Sequence, residues 1–193
     1  MKTFLLIIDI QEGFISDETE SAKKRIGNLL KASFFDYSIA SVYQNTPGGP
    51  LVKFMGWTRF FSKEEQQLAG IIKKYADSTV YKQRYSAVNE QLFTILRQNN
   101  GGELPEAVFI AGVDTECCVL ATAMELFESG IRPIVLADYC ATTGGGKYHE
   151  AGVLSLESLI GENNIFSGEI ESKSDIKKIL DFSKKNMEIQ KEI

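Results

Sequence analysis

Val108-Phe109-Ile110-Ala111-Gly112-Val113-Asp114-Thr115-Glu116-Cys117-Cys118-Val119 is the stretch on which the reading of this chain turns. A β-branched apolar segment passes through a glycine and a short polar turn into Val119-Leu120-Ala121-Thr122-Ala123-Met124-Glu125-Leu126-Phe127, whose apolar residues fit a helix packed on a sheet. The pattern predicts strand, tight turn and helix, with two thiols at the helix start. Backbone N–H groups and the positive end of the helix dipole favour thiolate over thiol there. Cysteine is also a common buried packing residue, so partners elsewhere in the chain decide between the two roles.

Working outward, the apolar run Phe4–Ile8 has the unbroken character of a central parallel strand covered on both faces. Helical spacing over residues 21–34, a strand at Tyr37–Tyr43, a helix over 63–75 and a strand at Ser78–Lys82 follow. Next come a helix over 89–98, a strand over 107–111, a helix over 118–129 and a strand over 133–137. A helix over 148–160, a short strand at 164–166 and a charged helix over 174–192 close the chain. Residues 44–62, with Pro47-Gly48-Gly49-Pro50 and the aromatics Phe54, Trp57, Phe60 and Phe61, show no period and are expected to form one long loop. This alternation predicts a single α/β domain over 1–193: three layers, with an open, mostly parallel six-stranded sheet carrying helices on both faces. Ligands of such sheets bind beyond the carboxyl ends of the strands. Asp9 follows the first strand, Lys82 ends the third and Cys118 begins the helix after the fourth, so all three fall on one rim.

Composition narrows the function classes. The chain has 193 residues, 44% hydrophobic and 24% charged, with net charge -5. No basic cluster is present, which argues against nucleic acid and favours a small-molecule substrate. The N-terminal apolar run is broken by Asp9 and is too short for a membrane span. Three cysteines, two of them adjacent, suit free thiols in a reducing, cytoplasmic setting rather than a disulfide framework. The single histidine, His149, lies in a helical segment, which leaves a Cys-His pair with only one candidate. No histidine falls in the 44–62 loop and no Cys-x-x-Cys occurs, so no metal or other cofactor is expected. A thiolate nucleophile needs a group to take its proton and gains from a neighbouring cation. Asp9 and Lys82 are the residues placed to serve, and helix-start amides can hold an oxyanion.

Three motifs carry a family resemblance. Asp9-Ile10-Gln11-Glu12-Gly13-Phe14 resembles the D-x-Q-x-x-F opening of the isochorismatase-like cysteine hydrolases, the relatives of nicotinamidase and N-carbamoylsarcosine amidase. Lys82-Gln83-Arg84-Tyr85-Ser86-Ala87 resembles their K-x-x-Y-S-A-F segment, and Gly112-Val113-Asp114-Thr115-Glu116-Cys117-Cys118-Val119 their G-V-x-T-D-x-C-V turn. The resemblance implies Asp9 as general base, Lys82 as electrostatic partner and Cys118, rather than Cys117, as nucleophile forming a thioester. It also implies a cis peptide before Asp114, with the Asp114 and Cys118 backbone amides as the oxyanion hole. The implied reaction is metal-independent cleavage of a C–N bond in a small amide, ureido or carbamoyl compound. Alternatives on the same fold are isochorismatase-type vinyl ether hydrolysis and a non-catalytic binding protein. The D-x-H of nicotinamidases is missing, which disfavours that activity. Val88 replaces a phenylalanine and is expected to reshape the pocket wall. Gln11, Phe14, Trp57 and Tyr85 are the candidate pocket residues. The Phe54 to Phe61 aromatics fit either a lid or a subunit interface, and a homo-oligomer, dimer or tetramer, is expected.

Overall fold

The computed structural model describes residues 2–188, with side chains as far as residue 184. Six strands, β1 Phe4–Ile8, β2 Tyr37–Tyr43, β3 Ser78–Lys82, β4 Ala107–Gly112, β5 Arg132–Cys140 and β6 Ile165–Phe166, form one sheet in the order β3-β2-β1-β4-β5-β6. Every pairing between these strands is parallel. The order reverses between β1 and β4, and a switch point of this kind opens a crevice at the strand ends.

Strand alternation sends side chains to two cores. Leu5, Ile7, Ala40, Phe109 and Leu136 meet helices α1 Glu20–Ala32, α4 Gly70–Tyr75 and α8 Lys173–Glu188, through Ile26, Leu29, Ile72, Ile176 and Ile179. Leu6, Ile8, Ile39, Val80 and Ile110 meet α5 Glu90–Asn99, α6 Leu120–Glu128 and α7 Gly146–Ile160, through Leu92, Leu96, Ala123, Leu126 and Leu156. All five residues of β1 are buried, which explains its unbroken apolar run. Among the described residues no helix is long and apolar enough to cross a membrane.

Four local expectations change. The helix expected over 63–75 is two, α3 Lys63–Gln66 and α4, interrupted where Leu68 pairs with Gln11 and the Glu12 N–H bonds the Gln67 carbonyl at 2.8 Å. The backbone there serves the segment after β1 and cannot also serve a helix. The 44–62 loop contains a six-residue helix, α2 Pro50–Met55, begun by proline and stopped by Gly56 at φ +65. It has no buried residue, so it leaves no apolar period to detect. β5 runs three residues beyond the expected Ala137, past an irregularity in its pairing with β4 and through the polar Asp138. Val88 lies in the second core, buried beside Leu92, and does not line the active-site pocket.

Gly112 shows how tightly the switch point is built. Its φ is +134, and a Cβ there would lie 2.1 Å from the Ile8 carbonyl oxygen of β1. A Gly112→Ala protein is expected to lose about 3 kcal/mol or more, from disfavoured backbone and overpacking together. Urea denaturation, at unchanged m-value, measures the loss.

Candidate active site

Four adjacent strand ends build the site. β3 lies two strand spacings from β1, roughly 9–10 Å, so only a long side chain can reach across. Lys82 does so, passing the Tyr43 ring of β2 with its Nζ 5.2 Å from the centroid and ending 2.7 Å from Asp9 Oδ2. The pair is almost dry, with side chains 1% and 0% exposed for Lys82 and Asp9. Asp9 itself turns at φ +50, a left-handed conformation that aspartate tolerates better than most residues, and its carbonyl takes the Gln11 N–H at 2.7 Å. Ser41 of β2 donates its hydroxyl to Asp9 Oδ1 at 2.6 Å and accepts the Asp9 N–H at 3.1 Å. Asp9 Oδ2 touches the ammonium but makes no aligned hydrogen bond among the described residues, so it retains acceptor capacity.

Lys82 Nζ also reaches the Arg84 and Tyr85 carbonyls at 3.1 and 2.8 Å, and Cys118 Sγ at 3.3 Å. These three acceptors match the three ammonium protons, and Asp9 Oδ2 meets the ammonium as an ion pair. Burial draws the Lys82 pKa down, but Asp9 and Cys118 more than offset that, leaving it above the ordinary lysine range. Burial pushes the Cys118 thiol well above its usual range; the Asp9 carboxylate adds to this, and Lys82 opposes it only in part. Burial and the Asp9 carboxylate thus act on this thiol against the thiolate that a helix start favours. Cys117, half-buried beside Glu116 and Asp114, is pushed up to about 11, with burial the leading cause.

The turn bearing Cys118 is not a plain helix start. Residues Thr115–Val119 form a π-type turn in which the Val119 N–H reaches back to the Asp114 carbonyl at 3.1 Å, and α6 continues from Leu120. The Val113–Asp114 peptide is cis. The Asp114 N–H makes no hydrogen bond among the described residues, while its carboxylate accepts the Thr143 N–H and hydroxyl at 2.7 and 3.0 Å. Burial raises the Asp114 pKa, and the Thr143 bonds oppose it. Thr115 bonds the Ala141 carbonyl and, at 2.8 Å, His149 Nδ1. His149 thereby serves the turn's far side.

Cys118 opens into a cavity of about 200 Å³. Phe14, Tyr43, Trp57 and Tyr85 form aromatic walls, Leu51 and Met55 reach in from α2, and Arg59, Asp114, Cys117 and Thr143 complete the lining. Three of the four expected pocket residues are there. Gln11 is the exception: fully buried, its amide bonds the Tyr43 N–H and carbonyl and the Gln66 carbonyl, at 2.8 to 3.0 Å. It splices the segment after β1 to β2 instead of facing the cavity. Ser41, Tyr43, Asn45 and Arg59 went unforeseen. A serine inside the apolar run of β2, and an asparagine just after it, were the available signals. Asn45 Nδ2 bonds the Trp57 and Arg59 carbonyls at 3.1 and 2.9 Å, clipping both ends of the aromatic loop together. Among the described residues no cluster of three His, Cys, Asp or Glu side chains could hold a metal.

The site is thus a buried thiol, carboxylate and ammonium at the switch point of a parallel α/β sheet. Residues 3–162 match the family model described as the Isochorismatase domain, and the chain belongs to that family of hydrolases. Among solved structures it is similar to an isochorismatase-like hydrolase from Alkaliphilus metalliredigens, with TM-score 0.73, 15% identity and coverage of 93% of this chain and 100% of that one. It is also similar to nicotinamidase from Bacillus subtilis, with TM-score 0.66, 24% identity and coverage of 83% and 97%. N-carbamoylsarcosine amidase from Thermoplasma acidophilum gives TM-score 0.70, 19% identity and coverage of 88% and 96%. At these identities the likeness speaks to the fold. No curated protein shows a significant sequence match.

Two outcomes follow from the buried charges. Iodoacetamide should alkylate Cys118 more slowly than a free-cysteine peptide at neutral pH, and its rate should climb without a plateau through pH 9; a plateau near pH 7 would contradict the raised thiol pKa. Lys82→Met, which strands the Asp9 carboxylate, is expected to cost about 3–5 kcal/mol in chemical denaturation.

Proposed function

We propose that the protein is a cysteine hydrolase that cleaves a C–N bond of a small amide, ureido or carbamoyl compound without a metal. The observation that carries this reading is the unbroken contact from Asp9 through Lys82 to Cys118, placed at the mouth of a cavity of about 200 Å³. That volume suits a metabolite-sized molecule, and the cavity wall holds no histidine with which to bind a metal beside it.

Cys118 Sγ attacks the substrate carbonyl carbon, and its proton passes to Asp9, whose Oδ2 retains acceptor capacity. A neutral resting thiol is compatible with this, because the base lies beside it and the proton never enters solvent. Lys82 stays charged throughout, holding Asp9 in place and balancing the developing thiolate. The Asp114 and Cys118 amides are assigned to the carbonyl oxygen as it becomes an oxyanion, and the unpaired Asp114 N–H supports that assignment. Collapse breaks the C–N bond, with Asp9 returning its proton to the departing nitrogen, and leaves a thioester on Cys118. Water then attacks the thioester with Asp9 as base, releasing the acid and restoring the thiol.

We further place the protein in the cytoplasm, which its three free thiols support, and in a homo-oligomer, dimer or tetramer. Phe54 and Met55, 76% and 69% exposed on α2, are the apolar surface that supports assembly, and sedimentation velocity tests it.

Ammonia release from a panel of small amides and ureas tests the chemistry. Cys118→Ala should reduce turnover to below about one thousandth with folding intact. Asp9→Asn should cost about 10²–10⁴-fold. Activity surviving without Cys118 but lost without Asp9 would instead indicate hydrolysis that bypasses a covalent cysteine.

A further inference from the structure

We infer that this pocket selects substrates bearing a carboxylate remote from the scissile amide, and that Arg59 is the specificity-determining residue that receives it. The inference rests on the cavity at Cys118 being the substrate pocket. Its lining contains two charged side chains, Arg59 and Asp114, of opposite sign. Lys82 has no proton to spare, since Cys118 and two backbone carbonyls take its three donors while Asp9 balances its charge. Arg59 is the other cation of the lining, ion-paired with Glu65 through its Nε.

Its setting is that of a prepared clamp. Nε bonds Glu65 Oε1 at 3.2 Å, Nη2 donates to the Gly13 carbonyl, and the guanidinium lies over the Phe60 ring, 5.7 Å from its centroid. Glu65 is itself fixed, because its other oxygen accepts the Phe60 N–H at 2.8 Å. A guanidinium carries five N–H donors, and these contacts use two, leaving the rest of the fork for a planar anion. At the thiol end the Asp114 carboxylate would repel a substrate carboxylate and accept an amide N–H instead. In this reading the two charges orient the substrate, against an aromatic wall in which the Phe14 and Trp57 rings stack on each other with centroids 6.4 Å apart and 17° between their planes. Arg59 is 53% exposed, so the attraction is partly screened and should weaken with salt.

The test uses Cys118→Ala protein and two probes, succinamate and succinamide, which differ in a carboxylate against a carboxamide. Binding is read from the fluorescence of Trp57, the one tryptophan in the chain and a pocket wall. Succinamate is expected to bind about 10–100-fold tighter, less so at high salt. Arg59→Gln should bring the two affinities together, and Arg59→Lys should restore part of the gap, which a purely structural role would not do. Equal affinities, no binding of either probe, or a preference that survives Arg59→Gln overturns the inference. If the variant does not fold, the salt dependence of the Cys118→Ala preference decides, and a preference indifferent to salt counts against Arg59. Neither probe is turned over without Cys118, so failure of the amide chemistry would appear only in the ammonia assay.

Discussion

The Asp9–Lys82 ion pair is the constraint around which the switch-point end of the sheet is arranged. Two charges held at 0% and 1% exposure each carry a desolvation cost of several kcal/mol, which their mutual attraction offsets only with close geometry and further hydrogen bonds. The neighbouring elements supply those bonds. β2 contributes the Ser41 hydroxyl to the carboxylate, and the turn after β3 folds back so that the Arg84 and Tyr85 carbonyls face the ammonium of their own strand's last residue. The close approach of β4 to β1 at Gly112 then brings the Cys118 turn against the finished pair. Each of the four strands β3, β2, β1 and β4 ends where it must for this cluster to close.

Placing a thiol against an existing ion pair alters how the nucleophile is prepared. A solvent-facing cysteine beside a lysine would rest as thiolate, whereas here burial and the Asp9 carboxylate outweigh Lys82 and keep Cys118 protonated. In the proposed chemistry the anion then exists only while substrate is present to receive it. Cys117, one residue away and also at the pocket, has no ammonium contact among the described residues: burial with Glu116 and Asp114 pushes it up to about 11, and Lys82 opposes this only in part. The two adjacent thiols are thus separated by their surroundings, not by their place on the turn.

The sheet was legible in the sequence because it is buried on both faces, so Phe4–Ile8 and 107–111 could hardly be anything else. The Asp9, Lys82 and Cys118 cluster was legible because each residue ends a strand or begins a helix on the same rim. What escaped notice depends on contacts far apart in the chain. Gln11 reads as polar and pocket-facing, yet it is fully buried because β2 and Gln66 offer it backbone partners 32 and 55 residues away. The break between α3 and α4 arises from the same pairing across the segment after β1. A helix-start argument for Cys118 counts local dipoles and not the burial that the folded sheet imposes, which pushes the thiol pKa upward.

The clip made by Asn45 has a further consequence. Its side chain fastens the carbonyls of Trp57 and Arg59 beside the end of β2, so the intervening residues leave that strand end and return to it at nearly one point. Leu51, Met55, Trp57 and Arg59 all belong to this excursion, while Asp9, Lys82 and Cys118 belong to the sheet ends. In the proposed reading, one wall of the pocket is therefore carried by a segment separate from the reacting side chains, and the rest of the lining comes from the strand ends and the turns after them. On that reading, exchanges along the exposed Pro50–Met55 helix would reshape that wall while Asp9, Lys82 and Cys118 keep their contacts.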